Sequence, residues 1–364
     1  MSLTSPSALD RALAPTPPVA LDDAIAPIEH LPKWLLCIPI GVQLFWLGAR
    51  YGSVTLPSVL NPAIENGGLV GESKYSYLRL VGGGFRHLIP TTVLVKWGED
   101  VEAARQAAGI AFPLIAKPDI GWCGYGVRRI DNIGELRKYA SCFPRDASFL
   151  LQELVTAPHE AGVHYVRAPN EQRGRVVALT IRHPPSVVGD GVDTIGELIE
   201  RNVRTRAKAD FYQELLSPVF LARVPAQAER VVLTTVASTR IGGRYEDVTH
   251  RISPAFADTV DALCRSMGGF EYGRLDVRFD TLEALRDGRF KIIEINGAGS
   301  EAIQYWDPHT TMRQTFAGVF AKQRELYKLA AEARRAGRKP VGLVAILRAH
   351  FKQQHLIRQY PPSN

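Results

Sequence analysis

Cysteine is scarce in this 364-residue chain: Cys37, Cys123, Cys142 and Cys264 stand apart, with no Cys-x-x-Cys pair. That spacing offers neither a zinc ligand set nor a disulfide framework, and a reducing cytosol is its simplest home. A charged-then-apolar leader is also missing. Residues 1–30 are rich in Pro, Ala and Asp and read as a disordered or loosely docked tail. Long apolar runs are lacking too: WLLCIPIGVQLFWLGA at 34–49 has sixteen residues with Pro39 inside, short of the about 20 that a spanning helix needs. It reads as a buried element of an N-terminal region, with an interfacial membrane segment as the alternative. Acidic residues are few at one end. Residues 311–364 carry eleven Lys and Arg against two acids, a balance of +9 beside +7 for the whole chain, which leaves −2 for residues 1–310. AKQRELYKLAAEARRAGRK in that tail has helix formers at helical apolar spacing, so it is either a solvated helix or a basic surface for an anionic partner, a membrane before a nucleic acid. No repeat appears, and the regular βα alternation of a Rossmann sheet is absent. Antiparallel sheets with helices packed on them, an α+β class, follow from that.

What is present concentrates in two segments, KIIEINGAGSE at 291–301 and GRLDVRF at 273–279. Side chains alternate along a strand, so Glu294 and Asn296 share one face while Ile293 and Ile295 turn to a core. Arg274, Asp276 and Arg278 likewise share a face opposite Leu275, Val277 and Phe279. TLEALRDG between the segments carries the turn residues Asp287 and Gly288 and suits an antiparallel connection, which sets Asp276 opposite Glu294. Two carboxylates and an amide oxygen on one face match the hard-oxygen preference of Mg²⁺; a solvated polar hairpin is the plainer reading. Upstream, Lys117 ends the strand FPLIAKP and Gly121, Gly124 and Gly126 follow in GWCGYGVRRI. Strand flanks this loop on both sides, whereas dinucleotide and Walker loops run into a helix, so it reads as a β-hairpin flap able to close over phosphates. A plain tight hairpin fits the same residues.

The order of the pieces is specific. A lysine at a helix start (ESK), a strand ending in KP, the glycine flap, a strand ending in QELV, an Arg-x-Asp strand and an EIN strand together resemble an ATP-grasp ligase over residues 72–310. SVVGDGVDTIGELIERN and RIGGRYEDVTHRISP are similar to the peptide-forming carboxylate-amine ligases of the cyanophycin synthetase kind, and the GRLDV strand is similar to D-alanine:D-alanine ligases. The resemblance implies two α+β lobes whose antiparallel sheets clamp ATP, at 73–155 and 156–310. They are preceded by a short region at 31–72 and followed by a basic helical tail at 311–364. It implies Lys74 and Lys117 on ATP phosphates, Gly121, Gly124 and Gly126 as lid, Glu153 and Val155 at the adenine hinge, and Glu160 on the ribose. It further implies Asp276, Glu294 and Asn296 on Mg²⁺ or Mn²⁺, Arg274 on the developing oxyanion, and Arg182 and Arg240 on phosphate or a substrate carboxylate. The implied activity joins a small carboxylate to an amine through an acyl phosphate in the cytoplasm, with anionic-membrane contact as an added expectation. A kinase on the same fold and a non-catalytic nucleotide binder are the competing readings.

Overall fold

The computed structural model describes residues 23–363, so most of the expected tail at 1–30 lies outside the described residues. Chain contacts separate two compact units, one made by Ser186–Val232 over its described core and the other by Ile25–Pro185 with Leu233–Asn364. In chain order the helices and strands are α1 (Lys33–Tyr51), α2 (Lys74–Leu80), β1 (Thr92–Lys96), α3 (Val101–Ala107), β2 (Leu114–Pro118), β3 (Arg128–Ile130), α4 (Ile133–Ser141), β4 (Ser148–Glu153), β5 (His159–Val166) and β6 (Arg175–His183). The smaller unit follows with β7 (Ser186–Val188), α5 (Ile195–Arg201), α6 (Ala209–Leu215), α7 (Pro218–Leu221) and β8 (Arg230–Val232), β7 pairing antiparallel with β8. The chain then returns through β9 (Arg244–Asp247), α8 (Pro254–Ser266), β10 (Tyr272–Phe279), α9 (Leu282–Arg286), β11 (Lys291–Asn296), α10 (Met312–Arg335) and α11 (Leu343–Ile357).

The larger unit holds two sheets. One has strand order β1-β4-β2-β3, the other β11-β10-β5-β6-β9, and every neighbouring pair is antiparallel. The second sheet buries Leu275, Val277 and Phe279 of β10 with Val163 of β5 against Phe256, Val260 and Leu263 of α8. This apolar face leaves the alternate residues, Arg274, Asp276 and Glu160 among them, on the other side. Pairing sets Asp276 opposite Glu294, as the alternation predicts. Beside that pair the strict alternation fails. The β10–β11 register shifts between Asp276 and Val277, so that Val277 meets Ile292 and Ile293 has no partner of its own. The bulge resets which side chains turn inward: Ile292 and Ile295 are buried, and Ile293, expected in the core, is only half-buried.

The ends of the chain differ from a simple reading of their composition. Around a short 3₁₀ turn at Pro27–His30, Ala26 and Ile28 are buried with Leu36, and Trp306, Met312 and Phe316 pack against them. The basic segment 311–364 is not a solvated appendage. Helix α10 opens on a capping box of Thr311 and Gln314 and buries Leu326, Tyr327, Leu329 and Ala330 with Leu47, Leu56 and Leu60. Leu356 of α11 enters the core of the four-stranded lobe, and Tyr360 stacks on Phe143 with centroids 5.1 Å apart. Helix α1, expected buried, packs on α10 along one side only. There its single polar apolar-run residue is used up: Gln43 Nε2 donates to Phe320 O at 2.8 Å. Its other side exposes Trp34, Ile38, Val42, Phe45 and Trp46, with Phe45 70% exposed, and over Trp34–Tyr51 the helix is long and apolar enough to cross a membrane by length and composition.

Candidate active site

The polar face of the five-stranded sheet carries a network of charges whose order follows from strand register. Glu160 of β5 pairs with Arg278 of β10 on one side and Arg182 of β6 on the other, and Gly162 lies opposite Asp276 and Thr180. Arg274 grips Asp276 through both carboxylate oxygens, Nε to Oδ1 at 2.6 Å and Nη2 to Oδ2 at 3.1 Å. Arg182 bridges Asp276 Oδ2 at 2.9 Å and Glu160 Oε1 at 2.8 Å. A side chain at position 162 is excluded by this arrangement. A Cβ there would stand 2.6 Å from Ile303 Cδ1 and 3.1 Å from Arg274 Cδ.

The other half of the site comes from the opposite lobe. Ser73 caps α2 by accepting from Ser76 N–H, and this places Lys74 at the helix start with its Nζ 2.7 Å from Glu294 Oε1. Burial alone would raise the Glu294 carboxyl, but Lys74, then Lys117 and Arg274, outweigh it and hold it at about 2. Lys117, buried at the end of β2, donates to Gln152 Oε1 at 2.9 Å and to Ile293 O at 2.6 Å. The bulge supplies that second acceptor, since Ile293 stands outside the ladder. Burial pushes the Lys117 amine down to about 8, against the pull of Glu294.

Between the lobes lies a cavity of about 320 Å³ lined by Gly121, Gly124, Arg182, Arg274, Asp276, Glu294 and Asn296. Seven of the residues singled out from sequence therefore meet on one space. Lys74 and Lys117 stand behind its wall through their bonds to Glu294 and Ile293. Glu160 is buried away from it, with both oxygens engaged by Arg182 and Arg278. At the end of β4, where the adenine hinge is expected, Glu153 N–H donates to Thr91 O at 2.8 Å, and Val155 O accepts from Arg278 Nη1 at 3.4 Å. Arg240 does not reach Asp276 or Glu294; its Nε donates to Cys123 O at 3.2 Å, and its guanidinium lies 4.2 Å from the Tyr125 ring centre.

The glycine loop is strand-flanked as expected, between β2 and β3. Gly124 has φ 73°, and a Cβ there would lie 2.7 Å from Val236 Cγ1, so glycine is required on both counts. The sequence did not foretell what holds the loop. Gln353 donates to Gly121 O at 3.2 Å, Tyr360 OH to Ile120 O at 2.6 Å and Ser363 Oγ to Gly124 O at 2.6 Å. His350, Gln353 and Gln354 of α11 line the cavity with Glu72, whose carboxyl is raised chiefly by burial. The C-terminal residues among these lie more than two hundred positions from the loop in sequence, and no local pattern marks them.

For a divalent cation the donors are two carboxylates and one amide. Among the described residues no group of three or more His, Cys, Asp and Glu could hold a metal. The Asn296 Nδ2 is buried with no hydrogen-bond partner among the described residues, a donor left for an anionic oxygen such as a phosphate's, while a metal would be met by the Oδ1 of the same amide. Asp276 and Glu294 face each other in register beside it. The set fits a hard cation that takes its remaining oxygens from phosphate or water.

No known family profile matches the sequence. The chain is 25% identical over 225 residues to cyanophycin synthetase of Synechocystis sp., covering 58% of this chain and 25% of that protein. It is 26% identical over 227 residues to cyanophycin synthetase of Trichormus variabilis, covering 58% and 24%. The chain thus matches about a quarter of the length of these relatives. Among solved structures, D-alanine–D-alanine ligase of Bacillus anthracis aligns at 13% identity over 73% of this chain and 68% of its own, with TM-score 0.41. The likeness in sequence is thus to part of the cyanophycin synthetases, over 58% of this chain, in a fold built on two antiparallel sheets.

Proposed function

We propose that this chain is an ATP-dependent ligase that joins a carboxylate to an amine through an acyl phosphate, releasing ADP and phosphate. The observation that carries the reading is the pairing of Asp276 with Glu294 across β10 and β11, each held by cations from different elements around one cavity. Phosphoryl transfer asks for positioning and charge neutralisation more than covalent help, and such a site is built for that. A nucleotide phosphate offers Lys74 a partner in exchange for Glu294, and Lys117, protonated at neutral pH, adds a second positive charge behind it. Asp276, Glu294 and Asn296 are the residues that would hold Mg²⁺, or Mn²⁺ in its place, and the ion when bound would neutralise charge on the nucleotide phosphates. Arg274 lies at the cavity wall, where its guanidinium can face the oxyanion that forms when the amine attacks. Because an acyl phosphate hydrolyses, the glycine loop over the cavity has water to exclude.

Incubation with Mg-ATP, a panel of amino acids and small carboxylates, and hydroxylamine tests this. ADP release that depends on a carboxylate and yields its hydroxamate is the expected result. ADP release that depends on a hydroxyl acceptor without any hydroxamate would assign a kinase instead.

The exposed apolar side of α1 favours a second property, peripheral attachment of a cytoplasmic enzyme to an anionic membrane. Trp34, Val42, Phe45 and Trp46 face outward, Arg50 is exposed on the same helix, and Arg324, Lys328, Arg334 and Arg335 are exposed on α10, on which α1 packs. An apolar stripe with neighbouring cations is what binding at an anionic lipid surface uses.

A further inference from the structure

A second cavity, of about 310 Å³, lies behind Arg274 on the same face of the sheet, lined among others by His164, Tyr272, Gln304, Tyr305, Lys322 and Glu325. His164 stands on β5 directly opposite Arg274 of β10, so it continues the row that carries Asp276. It is 4% exposed, and neither ring nitrogen has a hydrogen-bond partner among the described residues. A buried imidazole left wholly unpaired costs stability, and its ring stands edge-on to Tyr272 at 5.1 Å without gaining any polar contact. Lys322 projects from α10 into the same space. Its Nζ donates to Ser300 O and lies 5.9 Å from the Tyr272 ring centre, while Glu325, one turn on, is already paired with Arg175.

A thin wall separates this cavity from the first. Ser300 and Ile303 line the first cavity, Ala302 and Gln304 the second, and Arg274 Nη1 donates to Glu301 O at 3.3 Å between them. Ser300 Oγ is buried without a partner among the described residues, as His164 is. Burial, then the cations of Lys322 and Arg274, keep the His164 ring neutral, so it offers one N–H donor and one acceptor nitrogen. Burial and Arg274 push the Lys322 amine down to about 7, a cation short of a counter-charge. A ligand that satisfies these groups carries an anionic oxygen for Lys322 and a polar edge for the imidazole.

We propose that this cavity seats the carboxylate end of an amino-acid or peptide substrate, with Lys322 and His164 as its specificity-determining contacts. The inference rests on the ligase reading and adds to it the class of the amine substrate.

The test uses the full chain with the twenty L-amino acids and their carboxamides as probes. Without nucleotide, histidine-ring ¹⁵N spectra, with the His164 signals assigned from His164→Gln, are expected to shift with at least one free amino acid and not with its carboxamide. The shift should vanish in Lys322→Met. With Mg-ATP, Lys322→Met is expected to raise KM for that amino acid roughly tenfold or more, the worth of a charge-assisted hydrogen bond, while kcat and KM for ATP stay near those of the parent. If no amino acid shifts the signals, or the carboxamide shifts them equally, the cavity is a water-filled void and the proposal fails. Amino-acid-dependent ADP release with an unchanged KM in Lys322→Met also overturns it while leaving the ligase reading intact. A shift on binding with no ADP release by any pair removes the ligase reading and leaves the site.

Discussion

At the scale of single residues, the charges around Asp276 and Glu294 neutralise one another through long-range contacts. Lys74 and Glu294 are separated by 220 positions, Arg182 and Asp276 by 94. Glu294→Ala should abolish ADP formation while leaving the far-ultraviolet circular dichroism spectrum unchanged; near-parental turnover at saturating Mg²⁺ would remove Glu294 from the site. Lys117→Met should weaken ATP binding or slow transfer by about 1.5–3 kcal/mol, the value of a charge-assisted contact, read from calorimetry and single-turnover rates. Lys322 gives a stability prediction with a defined sign. Its amine titrates near 7 when folded, lowered by burial and Arg274 with Glu301 opposing, and near about 10.4 when unfolded. The unfolded chain therefore binds more protons between those values, so the buried amine destabilises the fold fully below about pH 7 and progressively less as pH rises. Lys322→Met should raise the melting temperature most at pH 6–7, and the gain should shrink toward pH 10. A difference that does not change with pH would show that the amine is not titrating as the burial argument requires.

At the scale of elements, β11 shows why alternation alone misplaces a residue. The sequence KIIEIN reads as a regular strand with Ile293 and Ile295 inward, and nothing local distinguishes Ile292 from Ile293. Packing against β10 decides between them, and the bulge turns the Ile293 carbonyl to Lys117. Ile292→Ala should cost about 2–5 kcal/mol of unfolding free energy, the range for a large-to-small core change, and Ile293→Ala clearly less, by denaturant titration. Equal costs would place the bulge elsewhere. The C-terminal helix α11 is a second case. Its composition is that of a basic surface helix, yet Leu356 fills the core of the four-stranded lobe and Gln353 and Tyr360 hold the glycine loop. Tyr360→Phe removes one hydrogen bond to Ile120 O and keeps the stack on Phe143. It should lower stability by only about 0.5–1.5 kcal/mol while speeding amide hydrogen exchange in the loop at 120–126.

At the scale of the whole molecule, charge and apolar surface meet on α1 and α10. Each basic residue near an anionic surface contributes about 1 kcal/mol, and salt screens that contribution. Sedimentation with anionic liposomes should therefore retain the protein at low salt, release it as ionic strength rises, and fall when Phe45 and Trp46 are both replaced by Ser. Retention that is equal on neutral and anionic vesicles would exclude the electrostatic part.

The sequence by itself determined the order of the pieces: a lysine at a helix start, a glycine loop between strands, an Arg-x-Asp strand and a Glu-x-Asn strand set to pair in register. Those are local properties, read from side-chain alternation, capping residues and turn residues within a few positions. Only the tertiary structure decided which cations hold which carboxylates, that Glu160 is enclosed by two arginines, that α1 is half exposed, that α11 reaches the cavity, and that His164 and Lys322 share a second one. Each of these depends on contacts between segments many tens of residues apart, where the packing of sheets and helices, and no periodicity of the chain, sets the distance.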